Sequence, residues 1–373
     1  MPNPAVAGAS TASGASSGSG GQNPFYIATN LYAEKNNQGL VTSQILGTSP
    51  IPGGGAINAG NYLRGLRLMV RTVTAGAGGT ASADYPWNLF QFLDIVNVDG
   101  SEILYNMGGY AYYLAEKYFR PWTQNPATRY DALASTVNSP QFTLFLQPEI
   151  RFTAGVLANT DTRSQYRWDQ TLNTASAVGG SYTTAPTISV TPYMDAWAQP
   201  DAQDLQGTPN QPVPPGINLQ LKRRHQIFAL NPANSDNILL STLTGNAVRG
   251  SLLVVRDNNN ARQDYLTDPI YWQLDNRSLG KLNPDIVRQW MEDFYAGYGD
   301  ITSANRETGV YVFPRFMLPG ELYGQGWLYT ANSTKLQWES TTASGLGSNT
   351  GTVELITDEV YPVGPVDPTL VDI

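Results

Sequence analysis

Cysteine is absent from the 373 residues. That excludes disulfides, thiolate nucleophiles, zinc-thiolate sites and iron-sulfur clusters together, and it ties the chain to no redox compartment. Histidine occurs once, as His225, so multi-histidine metal sites are excluded as well. Charge is also scarce: Asp, Glu, Lys and Arg make up 14% of the chain, against about a quarter in an ordinary soluble protein. The net charge of -8 repels a phosphate backbone, and no basic arm is present, so no direct nucleic-acid contact is expected. No apolar run is long enough to span a bilayer. The opening Met-Pro-Asn-Pro-Ala lacks the basic start and apolar run of a signal peptide, so the expectation is a soluble chain synthesised in the cytosol.

What the sequence does have is turn formers and aromatics: 36 Gly, 25 Pro, 21 Tyr and 8 Trp. Low charge with many amphipathic rings suits a surface largely covered by neighbours. The length gives a prior of two sizeable domains. Residues 1–22 are almost all small or polar and cannot repay the entropy of ordering alone, so they read as a flexible N-terminal arm. Residues 201–216, with Pro209, Pro212, Pro214 and Pro215, read as an interdomain linker. Two domains are therefore expected, at 23–200 and 217–373.

Strand signals fill both halves. Leu66, Leu68 and Val70 alternate with Arg67, Met69 and Arg71, the period-two pattern of a half-buried strand. Residues 90–98 and 103–105 flank an Asp99-Gly100 hairpin signal. Phe142, Leu144 and Leu146 alternate again, and strands follow at 166–172 and 187–190, separated by the turn at 179–181. Past the linker, short runs recur at 217–221, 227–230, 238–243, 251–255, 270–274, 310–313, 327–329, 336–338 and 353–356. Such spacing favours sandwiches or barrels over βαβ units.

One helix interrupts each half. Asn283 is placed to cap a helix beginning at Pro284, with Ile286, Val287, Trp290, Met291, Phe294 and Tyr295 as its apolar stripe, ending near Gly297. A second helix is expected around 110–119. A strand-rich half with one inserted helix, present twice, is an internal duplication of layout.

Chemistry is sparse. His225 lies in Lys222-Arg223-Arg224-His225, which reads as a solvated or interface basic patch and, ahead of phosphate contact, as one side of an intersubunit salt bridge. The acid pairs Glu292/Asp293, Asp358/Glu359 and Asp201/Asp204 read as solvated groups and not as a glycosidase pair. Asp257-Asn258-Asn259-Asn260 lacks calcium-loop spacing and reads as a tight hairpin turn. Gly53–Gly55 and Gly76–Gly79 lack the ending of a phosphate loop and read as loops. The Trp and Tyr side chains are assigned to cores and interfaces ahead of a sugar-stacking platform. No catalytic, cofactor-binding or metal-binding residue is assigned, and no cofactor.

Several stretches resemble one family. Residues 62–74 with the small-residue loop after them, residues 93–100 running into 107–119, and Thr153-Ala154-Gly155-Val156-Leu157-Ala158-Asn159 resemble the first barrel of tectivirus-type major capsid proteins. Asn276-Arg277-Ser278-Leu279-Gly280-Lys281-Leu282-Asn283-Pro284 leading into the Trp290 helix, then Glu307-Thr308-Gly309-Val310-Tyr311, resembles the second. The likeness is of order and spacing over residues 24–365. It departs in the Gly/Ser/Ala-rich arm and the pronounced Pro-rich linker.

The resemblance implies an all-β double jelly roll, two tandem eight-stranded sandwiches with short inserted helices. It further implies a homotrimer of pseudo-hexagonal outline that tiles an icosahedral virus shell around an internal membrane. The partners it implies are further copies of the chain, penton or vertex proteins and minor capsid proteins, and the location is the virion after synthesis in the host cytoplasm. On that reading the two inserted helices help set trimer contacts. The alternatives are a glycan-binding protein or glycoside hydrolase with two β-sandwiches, and a minor capsid or spike protein.

Overall fold

The computed structural model describes residues 26–29, 41–59, 61–82, 84–100, 102–120, 126–150, 155–198, 219–241, 246–275, 277–295, 307–314, 327–330 and 333–362. The expected arm at 1–22 and linker at 201–216 lie outside them.

The first half contributes β1 (Tyr26–Thr29), β2 (Val41–Ile45), β3 (Ile51–Ala56), β4 (Asn61–Thr74), β5 (Phe90–Val96), β6 (Glu102–Met107), β7 (Phe142–Leu146), β8 (Leu157–Asn159), β9 (Arg167–Leu172) and β10 (Thr187–Ala198). The second contributes β11 (Leu219–Leu230), β12 (Asp236–Ser241), β13 (Ala247–Arg256), β14 (Ile270–Leu274), β15 (Arg277–Leu282), β16 (Val310–Pro314), β17 (Leu328–Tyr329), β18 (Leu336–Thr341) and β19 (Gly351–Pro362). The α-helices are α1 (Gly109–Tyr118), α2 (Tyr130–Leu133), α3 (Ala175–Gly179) and α4 (Pro284–Tyr295).

Each half is a sandwich of two antiparallel sheets. In the first, β2-β10-β4-β7 faces β3-β9-β5-β6; in the second, β11-β19-β13-β16 faces β12-β18-β14-β15. Setting aside the short strands β1, β8 and β17, both halves share one strand order: first-eighth-third-sixth in one sheet and second-seventh-fourth-fifth in the other. That is the Greek-key arrangement of a jelly roll. The duplication extends to details. The sixth strand is completed both times by a short second segment, β8 beside β7 on β4 and β17 beside β16 on β13. A helix of at least ten residues lies both times between the fifth and sixth strands.

The alternation read in 66–71 holds, with Leu66, Leu68 and Val70 all buried. They face Leu93, Ile95, Trp168 and Leu172 across the first sandwich. In the second, Leu253, Val255, Val353 and Leu355 pack with Trp272, Phe313 and Trp338. The run Gly155-Val156-Leu157-Ala158-Asn159 has a local cause: Gly155 turns with φ +80°, Leu157 enters the core, and the buried Asn159 amide donates to the carbonyls of Ile57 and Asn58.

Several expectations are corrected. The strands expected at 217–221 and 227–230 are one strand, β11, from Leu219 to Leu230, because the charged residues between them are paired across the sheet; residues 217 and 218 lie outside the described residues. Gly53–Gly55 are not a loop but the centre of β3, where they pair with Gln170, Asp169 and Trp168 of β9. Strands β2, β3 and β15 and the short helix α3, capped by the Thr174 hydroxyl, lack an alternating apolar signature. Helix α4 starts as expected, the Asn283 side chain accepting from the Asp285 amide at 2.8 Å, but its stripe is narrower: Val287 and Met291 are buried, whereas Ile286 is exposed. Residues 76–79 do form a loop, and residues 257–260 a tight turn between Arg256 and Arg262.

Gly54 tests the β3 pairing. Its φ is +135°, and a Cβ there would lie 2.3 Å from the Trp168 carbonyl oxygen. Gly54→Ala is expected to cost about 1–3 kcal/mol, read from the shift in a denaturant midpoint; an unchanged midpoint contradicts the pairing.

Candidate functional site at the seam between the sandwiches

The two sandwiches meet along α1. The helix has no side-chain N-cap, and all ten of its residues are buried, Glu116 and Lys117 included. A helix buried all round needs cover on every side, and its charges need partners; Arg129 supplies one to Glu116. Its own sandwich supplies one side, through β5, β7 and Trp87, whose ring stacks on Tyr113 at 4.6 Å. The second sandwich supplies the other. Tyr113, Tyr118 and Lys117 all donate to the Glu307 carboxylate, Lys117 at 3.0 Å and Tyr113 at 2.6 Å. Burial, followed by the Glu307 charge, pushes the Tyr113 and Tyr118 hydroxyls well up, which keeps them protonated as donors. After α1, Phe119 lies flat enough on β13 that a Cβ at Gly250 would come within 2.7 Å of its ring. Alongside, β6 joins β11 by a parallel bridge at Leu104 and Arg223, making one nine-stranded sheet across both sandwiches.

The charged runs in β11 and β19 lie side by side in the second sandwich's sheet at this seam. Antiparallel register sets Lys222 opposite Glu359, Arg223 opposite Asp358 and His225 opposite Ile356. The basic run, expected to pair between subunits, instead has partners for Arg223, Arg224 and His225 within the chain. Arg223 and Arg249 each reach Asp358 at 3.1 Å, and all three are buried. Arg224 lies 3.4 Å from Glu359, and His225 3.0 Å from Glu354. Asp358 and Glu359, expected to be solvated, are fully buried, because β13 and β19 are covered on both faces. Burial raises the Glu359 carboxyl despite Arg224.

Cross-links between the sandwiches complete the seam. Asp84, from the loop before β5, meets Arg256 at 2.8 Å and Arg262 at 3.0 Å. Arg256 also binds Glu354 at 2.5 Å. Burial disfavours the Glu354 charge, but the His225 hydrogen bond and Arg256 outweigh it and hold the carboxyl below its usual range.

Beside these pairs lies a cleft of about 510 Å³, lined by Asp84, His225, Arg256 and Glu354 with amide side chains such as Asn88, Asn173 and Asn260. It has two facing carboxylates, the feature a glycosidase needs. A glycosidase general acid has a raised pKa; here the Glu354 carboxyl is held low, and Asp84 is bound by two guanidinium groups. Among the described residues, no group of three His, Asp or Glu side chains is placed to hold a metal ion. In the turn at 257–260, Asp257 is committed to the amides of Asn259 and Ala261. Glu292 and Asp293 lie in α4, and Asp201 and Asp204 are outside the described residues. Trp87, Trp168, Trp197, Trp272 and Trp338 are buried, so these rings offer no stacking platform.

Sequence reading missed Asp84, Arg249, Arg256, Glu307 and Glu354 as a connected set. The available signal was charge embedded in apolar strand runs, as in Val353-Glu354-Leu355-Ile356-Thr357-Asp358-Glu359-Val360, where β-strands have no exposed face to spend on it.

No protein-family model matches the chain, and no curated protein sequence does. The fold does match solved structures. The major capsid protein of Sulfolobus turreted icosahedral virus is similar at a TM-score of 0.61 and 13% identity, covering 94% of this chain and 99% of that one. A chain of the PBCV-1 virus capsid is similar at 0.61 and 10%, covering 92% and 96%. The major capsid protein of bacteriophage PM2 is similar at 0.51 and 10%, covering 88% and 96%. The fold is thus a double jelly roll, as the sequence resemblance implied.

The depressed Glu354 carboxyl makes stability depend on pH. Its contribution is present above the unfolded value of about 4.3 and is lost as pH falls through the lower folded value; the raised Glu359 acts with the opposite sign. Glu354→Gln is expected to be less stable near neutrality and to lose less between about pH 5 and pH 3 than the parent. Thermal melts across that range check it, and equal slopes for the two proteins would contradict it.

Proposed function

We propose that the chain is a major capsid protein, a building block of an icosahedral virus shell and not an enzyme. One observation carries the reading: two jelly rolls of identical strand order are locked side by side in one chain, in a fold shared over 88–94% of its length with viral capsid proteins. Two such units per chain supply a brick in which three copies present six similar sandwiches. Its boundaries are a first jelly roll at 23–200 and a second at 217–373, with an arm at 1–22 and a linker at 201–216.

On this reading the copies form pseudo-hexagonal trimers that tile the shell around an internal membrane. Vertex and minor capsid proteins are the further partners, and the location is the virion. The acidic chain leaves the genome uncontacted. No helix among the described residues is long and apolar enough to cross a membrane. The glycan-directed alternative has the cleft in its favour, but both carboxylates there are bound by guanidinium groups. No residue is assigned to catalysis, a cofactor or a metal.

The expected result for the purified chain is a particle of about three times the 40.5 kDa chain mass in light scattering, with a hexagonal outline in electron micrographs. A monomer at every concentration contradicts the proposal. Retention on a polysaccharide array favours the alternative.

A further inference from the structure

The cleft of about 510 Å³ beside the seam has no part in building a shell, yet its volume falls in the range of ordinary small-molecule sites. Both sandwiches line it. The first supplies Asn88, Asn173 and, from α3, Ala177; the second supplies His225, Arg256 and Glu354 from the adjacent strands β11, β13 and β19. A molecule seated there touches both.

The lining selects its ligand by charge and by hydrogen-bonding type. Asp84 and Glu354 are matched by Arg256 and Arg262, so neither an anion nor a cation finds an unmatched carboxylate or guanidinium here. Carboxylate oxygens held in this way still have lone pairs in fixed positions to accept from a ligand. Side-chain amides make up much of the remainder: Asn88, Gln91, Asn173, Asn259 and Asn260. Each carries a donor and an acceptor on one planar group, and an alcohol hydroxyl, which also donates and accepts, is their complement. Asn88 and Asn173 are set in place before any ligand arrives. The Asn88 Nδ2 donates to the Ser82 hydroxyl and the Ala177 carbonyl at 2.7 Å each, and the Asn173 Nδ2 donates to the Asn88 carbonyl at 3.2 Å. Groups already ordered lose little entropy on binding. Phe90, Ala111, Ala177 and Ala261 give the apolar share of the lining, which suits the C–H faces of a sugar ring.

We infer that the cleft binds a short, neutral saccharide, held between the two sandwiches by the amides and the guanidinium-bound carboxylates. Because the lining comes from one chain, every copy carries the site, whatever the copies assemble into. On a shell brick it is a sugar-recognition site added to the structural role. A bound saccharide also joins the two sandwiches, so its binding energy adds to the stability of the folded chain.

Titration of the full-length chain with cellobiose, maltose, lactose and N,N′-diacetylchitobiose, followed by saturation-transfer NMR, tests it. At least one of these is expected to saturate at millimolar concentration and to raise the melting temperature. Ala177→Phe, at an exposed position of the lining, is expected to abolish the signal by filling the cleft. Gln91→Ala combined with Asn259→Ala removes one exposed amide from each sandwich and is expected to weaken binding about tenfold. Circular dichroism and the sugar-free melting temperature of these variants should stay at parental values. No saturation by any of the four sugars overturns the assignment. So does equal binding by the parental chain and Ala177→Phe, or displacement of the sugar by inorganic phosphate. Light scattering on the same samples separates the two roles: a trimer that binds sugar supports both, a trimer that does not overturns the sugar site alone, and a sugar-binding monomer overturns the capsid reading alone.

Discussion

The structure depends on a helix that has no outside. All ten residues of α1, Gly-Tyr-Ala-Tyr-Tyr-Leu-Ala-Glu-Lys-Tyr, are buried, its two charges held by Arg129 and Glu307, and its own sandwich covers only one side. The second sandwich must close over the remainder, and everything at the seam follows from that: the parallel bridge between β6 and β11, the close approach of Phe119 to Gly250, and burial of the charges that happen to lie on the covered face. The apolar cluster consequently runs unbroken from Leu46 in the first sandwich to Val360 in the second.

The buried ion pairs are better understood as specifying the seam than as strengthening it. Removing charges from water costs several kcal/mol per ion, and the Coulomb gain returns that only when geometry is good. The return here comes from multiple use: Asp358 serves Arg223 and Arg249, Glu354 serves His225 and Arg256, and Glu307 serves two hydroxyls and an ammonium. A sandwich docked one residue out of register would leave these groups buried and unpaired, a penalty that rejects the wrong arrangement. Each carboxylate of the cleft is thereby engaged: Asp84 by Arg256 and Arg262, and Glu354 by Arg256 and the His225 ring.

The duplication links fold to assembly. Two units of one strand order, each with a helix between its fifth and sixth strands, share one chain. They use those helices differently: α1 is buried at every position between the sandwiches, whereas α4 leaves Ile286 exposed.

Much of this was legible in the chain before any coordinates. Periodicity of two placed Leu66, Leu68 and Val70 on an inward face, Asn283-Pro284 marked the start of α4, Asp99-Gly100 marked a hairpin, and the run Gly155–Asn159 with Glu307–Tyr311 pointed to the double jelly roll. These signals are local, because a strand's alternation and a helix cap are decided within a few residues. The seam was not local. Lys222–His225 and Asp358–Glu359 look like solvated charge when each is read alone, and only the antiparallel register of β11 on β19, covered by a helix from 100 or more residues earlier, brings them together and removes the water. Sequence thus determined which elements form and in what order; tertiary packing decided which of their faces count as inside, since burial is a property of what another part of the chain covers.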